Sequence, residues 1–285
     1  RCHSHPNEKW TQADFTRFAA HFATVKQKGA GLSPPISAGA ETFYHAAGGT
    51  VKHPVTGEVM TPRPLDGPYE EPAKDADPRE SLLASLLHPE NPYFAPAAVN
   101  RVWAAFFGRG FVEPVDDFRI SNPAAHPALL TALARDFAAH GYDLKHLMRV
   151  IMESALYQLS SEPNGTNLAD TRNFSRAYRR RLPAEVLLDA VNDVTGATDT
   201  FVGLPPGSRA LQAWSYKIES QFMDAFSRPD PSMDPPCERD MHLSVVQSLH
   251  LMNSKALHTK LTAPGGRARR LAAGDQPPAE VVSEL

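Results

Sequence analysis

The stretch Arg1-Cys2-His3-Ser4-His5-Pro6 brings a thiol and two imidazoles together at positions 2 to 5. Cysteine followed at once by histidine is the tail of a C-x-x-C-H haem attachment pattern. In that pattern two thiols form thioethers to the haem vinyl groups, and the adjacent imidazole is delivered to the iron. Only the second thiol of such a pair is present. The same residues therefore also read as a metal site built on His3 and His5 with ligands from elsewhere, or as an incidental Cys-His pair. By spacing alone the incidental pair weighs as much as the other two readings together, so haem c held through Cys2 and His3 is an expectation only for an intact parent protein.

Four other constellations could do chemistry. Asp116-Asp117 comes directly after Phe111-Val112-Glu113-Pro114-Val115 in a loop-like stretch. Adjacent carboxylates can hold a hard cation or serve as acid and base, against the plainer readings of a solvated turn or an ion pair with Arg119. Arg101 lies in a strongly apolar segment, where it could clamp a carboxylate or sulfate ligand or bridge internally to Asp116 or Asp117; the internal bridge is favoured. Glu185, Asp189, Asn192 and Asp193 share one helical stripe, read as a wet polar face. Pro236-Cys237-Glu238-Arg239-Asp240 precedes a helix with His242 and His250, a weak Cys–His arrangement; His250 reads better as a hydrogen-bonded core histidine. No Gly-rich phosphate loop, G-x-S-x-G elbow or H-E-x-x-H is present. Asp116, Asp117, Arg101 and Glu238 are thus weak catalytic candidates, and whether the chain is an enzyme stays open.

The elements that must position these groups are mostly helical. Thr11 with Asp14 reads as the start of a helix over Gln12 to Lys26. Asp77-Pro78-Arg79-Glu80 and Asn91-Pro92 place a capping residue before proline. Val99, Val102, Trp103, Phe106 and Phe107 keep a helical stripe that Gly108 ends. Leu129, Leu130, Leu133 and Phe137 form another, stopped at Gly141. Asp143 caps a helix lined by Leu144, Leu147, Met148, Ile151 and Met152, with Tyr142 and Leu147 placed for a hydrophobic staple. Leu187, Ala190, Val191 and Val194 mark a helix ending at Gly196, and Val245, Val246, Leu249 and Met252 one more. Between residues 29 and 76, Gly48-Gly49 and Val55-Thr56-Gly57-Glu58-Val59 carry turn signals for a hairpin or small sheet. The expected fold is mainly α: a multi-helix domain with long Pro-rich loops and a small β-hairpin insertion near the N-terminus. The expected divisions are 1–28, 29–76 and 77–285.

Composition narrows the function classes. The 285 residues are 42% hydrophobic and include 26 prolines, clustered as in Thr61-Pro62-Arg63-Pro64 and Asp234-Pro235-Pro236. With 32 acidic against 29 basic residues the net charge is -3, so nothing points to nucleic acid or an anionic membrane. No apolar run reaches membrane-spanning length. The chain starts without methionine, and a helical pattern runs through 278–285 to the last residue, so it reads as a piece cut from a longer protein. Cys2 and Cys237 are the only cysteines; export would allow them to pair, and a reducing compartment would keep them as free thiols.

Arg1-Cys2-His3-Ser4-His5-Pro6 with Lys9-Trp10-Thr11-Gln12-Ala13-Asp14-Phe15 resembles the end of a planctomycete cytochrome c-like domain, domain of unknown function fifteen-forty-nine. The rest of the chain resembles domain of unknown function fifteen-fifty-three. The resemblance is carried by Asn91-Pro92-Tyr93-Phe94-Ala95, Val99-Asn100-Arg101-Val102-Trp103, Phe106-Phe107-Gly108-Arg109-Gly110 and Pro114-Val115-Asp116-Asp117-Phe118-Arg119. It continues through Gly141-Tyr142-Asp143-Leu144, Tyr157-Gln158-Leu159-Ser160, Arg181-Leu182-Pro183-Ala184-Glu185, Cys237-Glu238-Arg239 and Leu249-His250-Leu251-Met252-Asn253. The resemblance implies an exported protein of the periplasm or cell envelope, with cytochrome-like domains upstream and other exported proteins as partners. It implies no catalytic residues. The leading reading is a scaffold or partner-docking module of a redox-linked envelope protein. The others are a module that binds or processes extracellular polysaccharide, with Tyr69, Tyr93, Trp214 and Tyr216 as stacking aromatics, and a purely structural envelope protein.

Overall fold

The computed structural model describes residues 4, 8–29, 41–73, 76–213, 218–229 and 244–284. The fold is mainly α, with one small two-stranded antiparallel sheet near the N-terminus. Among the described residues no helix is long and apolar enough to cross a membrane. The chain packs as two units, one of residues 1–28 and 41–180, the other of 29–40 and 181–285.

In the first unit, α1 (Gln12–Ala20) opens on the expected capping box. The Asp14 amide donates to Thr11 Oγ1 at 3.2 Å and the Thr11 amide to Asp14 Oδ2 at 2.8 Å. This helix ends at Ala20, short of Lys26, because the chain from Val25 is spent on a strand. That strand, β1 (Val25–Gly29), pairs with β2 (Glu41–His45). Gly48-Gly49 is therefore not the turn of this sheet. Gly49 is a close crossing, where an added Cβ would lie 2.0 Å from the Ala23 carbonyl oxygen.

The cap-then-proline signals locate the next helices. Asp77 Oδ1 accepts the Arg79 amide at 2.9 Å to start α2 (Pro78–Leu86). Asn91 Oδ1 accepts the amides of Tyr93 (3.0 Å) and Phe94 (2.9 Å) ahead of α3 (Phe94–Phe107). Gly108, at φ +79°, ends α3, which packs on α4 (Pro127–Ala139) and α5 (Leu144–Glu153). Val99, Trp103, Phe107, Phe111, Leu133, Phe137, Leu147 and Ile151 form the core of this unit. Tyr142 does not staple onto Leu147 alone: its ring meets Phe94 and Phe137, with centroids 5.6 and 5.3 Å away, and its hydroxyl donates to the Leu87 carbonyl at 2.7 Å.

The second unit holds α6 (Ala184–Thr195), α7 (Gln221–Ala225), α8 (Val245–Asn253), α9 (Lys255–Leu261), α10 (Arg267–Ala272) and α11 (Pro278–Glu284). Two stripes run differently from the expectation. In α6 the buried face passes through Ala184, Leu188 and Thr195, while Val194 is exposed. Asp189 is buried with them, 3% exposed. Its carboxylate accepts the amides of Ala210 (2.7 Å) and Leu211 (3.2 Å) and so holds a 3-10 turn over Ala210–Gln212. The expected wet face is thus partly an internal tie. In α8 the buried residue is Gln247, and Val245, Val246, Leu249 and Met252 are exposed. Gln247 donates to Ser227 Oγ at 3.3 Å and accepts from Arg181 at 2.5 Å; satisfying that buried amide sets the helix rotation.

Candidate functional site

The sequence-predicted site residues do not converge. Asp116 and Asp117 turn apart, each to its own arginine. Arg101 Nε donates to Asp116 Oδ1 at 2.7 Å in a fork that its Nη2 completes. Arg119 grips Asp117 through two contacts of 2.5 Å. The Arg101–Asp116 pair is solvent-exposed on both sides, so it stabilises by no more than about 1 kcal/mol. The hydroxyls of Tyr69 and Tyr93 are bonded internally, to the Pro62 carbonyl (2.9 Å) and Asp66 Oδ2 (2.8 Å). Burial, helped by the Asp66 carboxylate, pushes the Tyr93 hydroxyl up to about 12. His250 meets Phe222 and Phe226 edge-on, at 5.5 and 5.9 Å. His250 and Lys260 line a cavity of about 240 Å³ in which Lys260 joins Asn192 Oδ1 (2.6 Å) and Asp199 Oδ2 (2.7 Å), so its lysine is paired internally. Cys2, His3, His5, Trp214, Tyr216, Cys237, Glu238 and His242 lie outside the described residues.

What the first unit does assemble is an arginine-lined groove of about 590 Å³. Arg109 enters it directly after the Gly108 cap of α3. Arg176 and Arg179 come from the long segment between α5 and α6. That segment has no regular structure, and side chains hold its shape. Asp170 accepts the amides of Arg172 (3.0 Å), Asn173 (2.9 Å) and Ser175 (3.0 Å) and the Ser175 hydroxyl. The hydroxyl and these amides hold its carboxyl far below the usual carboxylate range. Phe174, between these amides, is only 1% exposed. Its ring packs on Trp103, Phe107 and Phe111 at centroid distances of 5.4 to 5.8 Å. Tyr178 closes the loop by accepting the Phe174 amide at 2.9 Å and donating to Asp170 Oδ2 at 3.2 Å; burial pushes its hydroxyl up.

This frame leaves the groove cationic. The Arg176 guanidinium lies 5.3 Å from the Tyr178 ring centroid, a cation–π contact that restrains its plane. Arg109 spends one N–H on the Thr171 carbonyl at 2.5 Å. The Nε atoms of both Arg109 and Arg176 are buried and make no hydrogen bond. Arg179 pairs with Glu162 at the rim, and both side chains are 73% exposed, so an incoming anion can displace that carboxylate at little cost. Arg180 leaves the groove to donate to the Ala105 carbonyl near the C-terminus of α3, where a cation is favoured. Buried N–H groups without acceptors are costly, and rotation of these side chains toward the groove would let a sulfate, phosphate or carboxylate accept from them. Arginine is thus the prevailing charged residue of the groove lining, with Glu162 as its carboxylate.

Residues 78–282 match the family model of PSD1, "Protein of unknown function (DUF1553)". The chain belongs to this family. The match runs across both units, so the family region contains the groove and its supporting loop. No curated protein and no solved structure matches the chain. Within the family region, sequence reasoning missed Arg176 and the role of Arg109. The signal was Phe174-Ser175-Arg176-Ala177-Tyr178-Arg179, an aromatic anchor with arginines three residues apart behind it, but without the fold nothing joins it to Arg109.

Proposed function

We propose that the DUF1553 region is a docking module that holds a partner through sulfate or carboxylate groups. The two buried, unpartnered guanidinium Nε atoms carry this reading. It makes concrete the scaffold role expected from the sequence, and the groove also suits the acidic groups of an extracellular polysaccharide. Calorimetric titration of the full chain with dextran sulfate is expected to show saturable binding that weakens as salt rises, with neutral dextran inert. Arg109→Gln with Arg176→Gln should lower the affinity at least tenfold, while Arg101→Gln leaves it unchanged. Unaltered binding by the double variant, or equal binding of neutral dextran, would remove this reading.

We further propose that the parent protein is exported to the periplasm or cell envelope and bears haem c just upstream, with Cys2 as a thioether-forming thiol and His3 as an iron ligand. Support comes from the Cys2-His3 order and from the resemblance of residues 1–15 to the end of a cytochrome c-like domain. When bound, such a haem would supply one-electron chemistry. The longer protein, expressed with a cytochrome c maturation system, should give a reduced-minus-oxidised α-band that is shifted or lost in His3→Ala. A colourless product would exclude it.

A further inference from the structure

We propose that Asp136, His140 and His146 form a binding site for a divalent first-row transition ion of the zinc, nickel and copper class, at the corner between α4 and α5. The site is separate from the arginine groove. One turn of α4 sets His140, its C-cap residue, over Asp136. Gly141 and Tyr142, both in the left-handed region (φ +64° and +63°), then reverse the chain. Asp143 caps α5, accepting the amides of Lys145 (2.8 Å) and His146 (3.2 Å), and this returns His146 to the end of α4. The corner is rigid, since the Tyr142 ring is packed on Phe94 and Phe137 and Leu147, next to His146, is wholly buried.

The geometry is close to that of a loaded site. His146 Nε2 lies 2.8 Å from Asp136 Oδ2, and His140 Nδ1 lies 3.3 Å from Asp136 Oδ1. The ligand atoms of the three residues fall within 4.8 Å of one another. Tetrahedral bonds of about 2.0–2.1 Å separate neighbouring ligand atoms by roughly 3.3 Å, so small adjustments suffice. His140 Nδ1 also lies 2.9 Å from the Asp136 backbone carbonyl. With Nδ1 as the ligand atom, that contact to the carbonyl is given up when an ion binds. An Asp–His ion pair needs one imidazole. Here two face one carboxylate, stacked with centroids 3.8 Å apart and planes 20° apart. Stacked rings aim their lone pairs along parallel planes, so loading opens the stack by side-chain rotation. The partial exposure of all three residues allows that without backbone movement. Two imidazoles and a carboxylate select zinc, nickel, copper or cobalt over calcium and magnesium, which demand more oxygen ligands. The remaining coordination positions are open to water or a small ligand.

Calorimetry of the full chain with Zn²⁺, with the Co²⁺ visible spectrum as second readout, tests the site. We expect one ion per chain at this corner, undisplaced by excess Ca²⁺, and retained in the Cys2→Ser/His3→Ala/His5→Ala variant. His140→Ala and His146→Ala should each weaken Zn²⁺ binding about tenfold or more and alter the Co²⁺ bands. His146→Gln, which can still donate to Asp136, should weaken it equally and keeps the test valid if the alanine variant unfolds. Wild-type affinity in the His140 and His146 variants, or loss of all binding in the N-terminal variant, would overturn the proposal.

Discussion

Replacing Phe174 with alanine is expected to destabilise the first unit by about 3–5 kcal/mol, the range for deleting a fully buried phenylalanine ring, and to abolish anion binding in the groove. Both effects have one cause. The ring fills the space among Trp103, Phe107, Phe111 and Tyr178, and it is the apolar anchor of the loop that carries Arg176 and Arg179. Phe174 also sits at φ +56°, a conformation that costs a bulky L-residue roughly 1–2 kcal/mol. The burial of its ring outweighs that cost. Glycine carries no such penalty, so Phe174→Gly should be no less stable than Phe174→Ala, a reversal of the usual order. Urea denaturation of the three proteins gives the stabilities, and dextran sulfate titration well below the transition gives the binding. If Phe174→Ala melts like wild type, or keeps the groove's affinity, the loop is held by its Asp170 hydrogen bonds alone.

How much of the fold and of the groove is legible in the sequence depends on whether a feature is local. Thr11 with Asp14, Asp77 before Pro78, Asn91, Gly108, Asp143 and Gly196 all punctuate helices as their chemistry requires, because a cap satisfies amides or carbonyls within a few residues. The apolar stripes of α3 to α5 likewise face the core through Val99, Trp103, Phe107, Leu130, Leu133, Phe137, Leu147 and Ile151, while Leu129, Leu144 and Met152, at the margins of the expected stripes, are exposed. Stripes fail where a buried polar group outvotes them. Asp189 turns α6 toward the Ala210 amide, and Gln247 turns α8 toward Ser227 and Arg181. The pairing of Val25–Gly29 with Glu41–His45 is hidden because the helical spacing of Phe15, Phe18, Ala19 and Phe22 carries past the end of α1. The groove is hidden for a different reason. Its arginines come from position 109 and positions 176–179, joined by a loop whose shape rests on a left-handed phenylalanine and on amides gathered by Asp170, and neither has a periodic signature. At the corner between α4 and α5, the Asp136–His140 spacing is visible but His146 belongs to the next helix.

Asn100 is the residue whose loss should cost the fold most per atom removed. It lies mid-helix in α3, 0% exposed, where an apolar residue would be the ordinary choice. Its carboxamide makes four hydrogen bonds to one loop. Oδ1 accepts the amides of Phe111 (2.7 Å) and Val112 (3.1 Å), and Nδ2 donates to the carbonyls of Val112 (3.0 Å) and Val115 (2.8 Å). The side chain thus replaces the missing secondary structure of residues 111–115, and the fit is tight: a Cβ at Gly110 would lie 2.7 Å from the Asn100 amide atoms. Asn100→Ala strands two amides and two carbonyls, each costing about 1–3 kcal/mol when buried and unsatisfied. With partial access of water, a loss of roughly 4 kcal/mol is expected in urea melts, a large share of a domain's usual stability. Asn100→Asp gives the sharper test. A carboxylate still accepts from Phe111 and Val112, but it sets a negative charge against the Val112 and Val115 carbonyls. Burial and those carbonyls must raise the folded-state pKa of the new acid above its unfolded value of about 3.9. The charged form is then the disfavoured one, so the defect relative to wild type is largest at pH 7. It should shrink as pH falls toward about 4, where the protonated acid can donate to one carbonyl again. A defect that instead stays constant from pH 7 to 4 would mean that residues 111–115 rearrange around the acid and that the carboxamide is not what holds them.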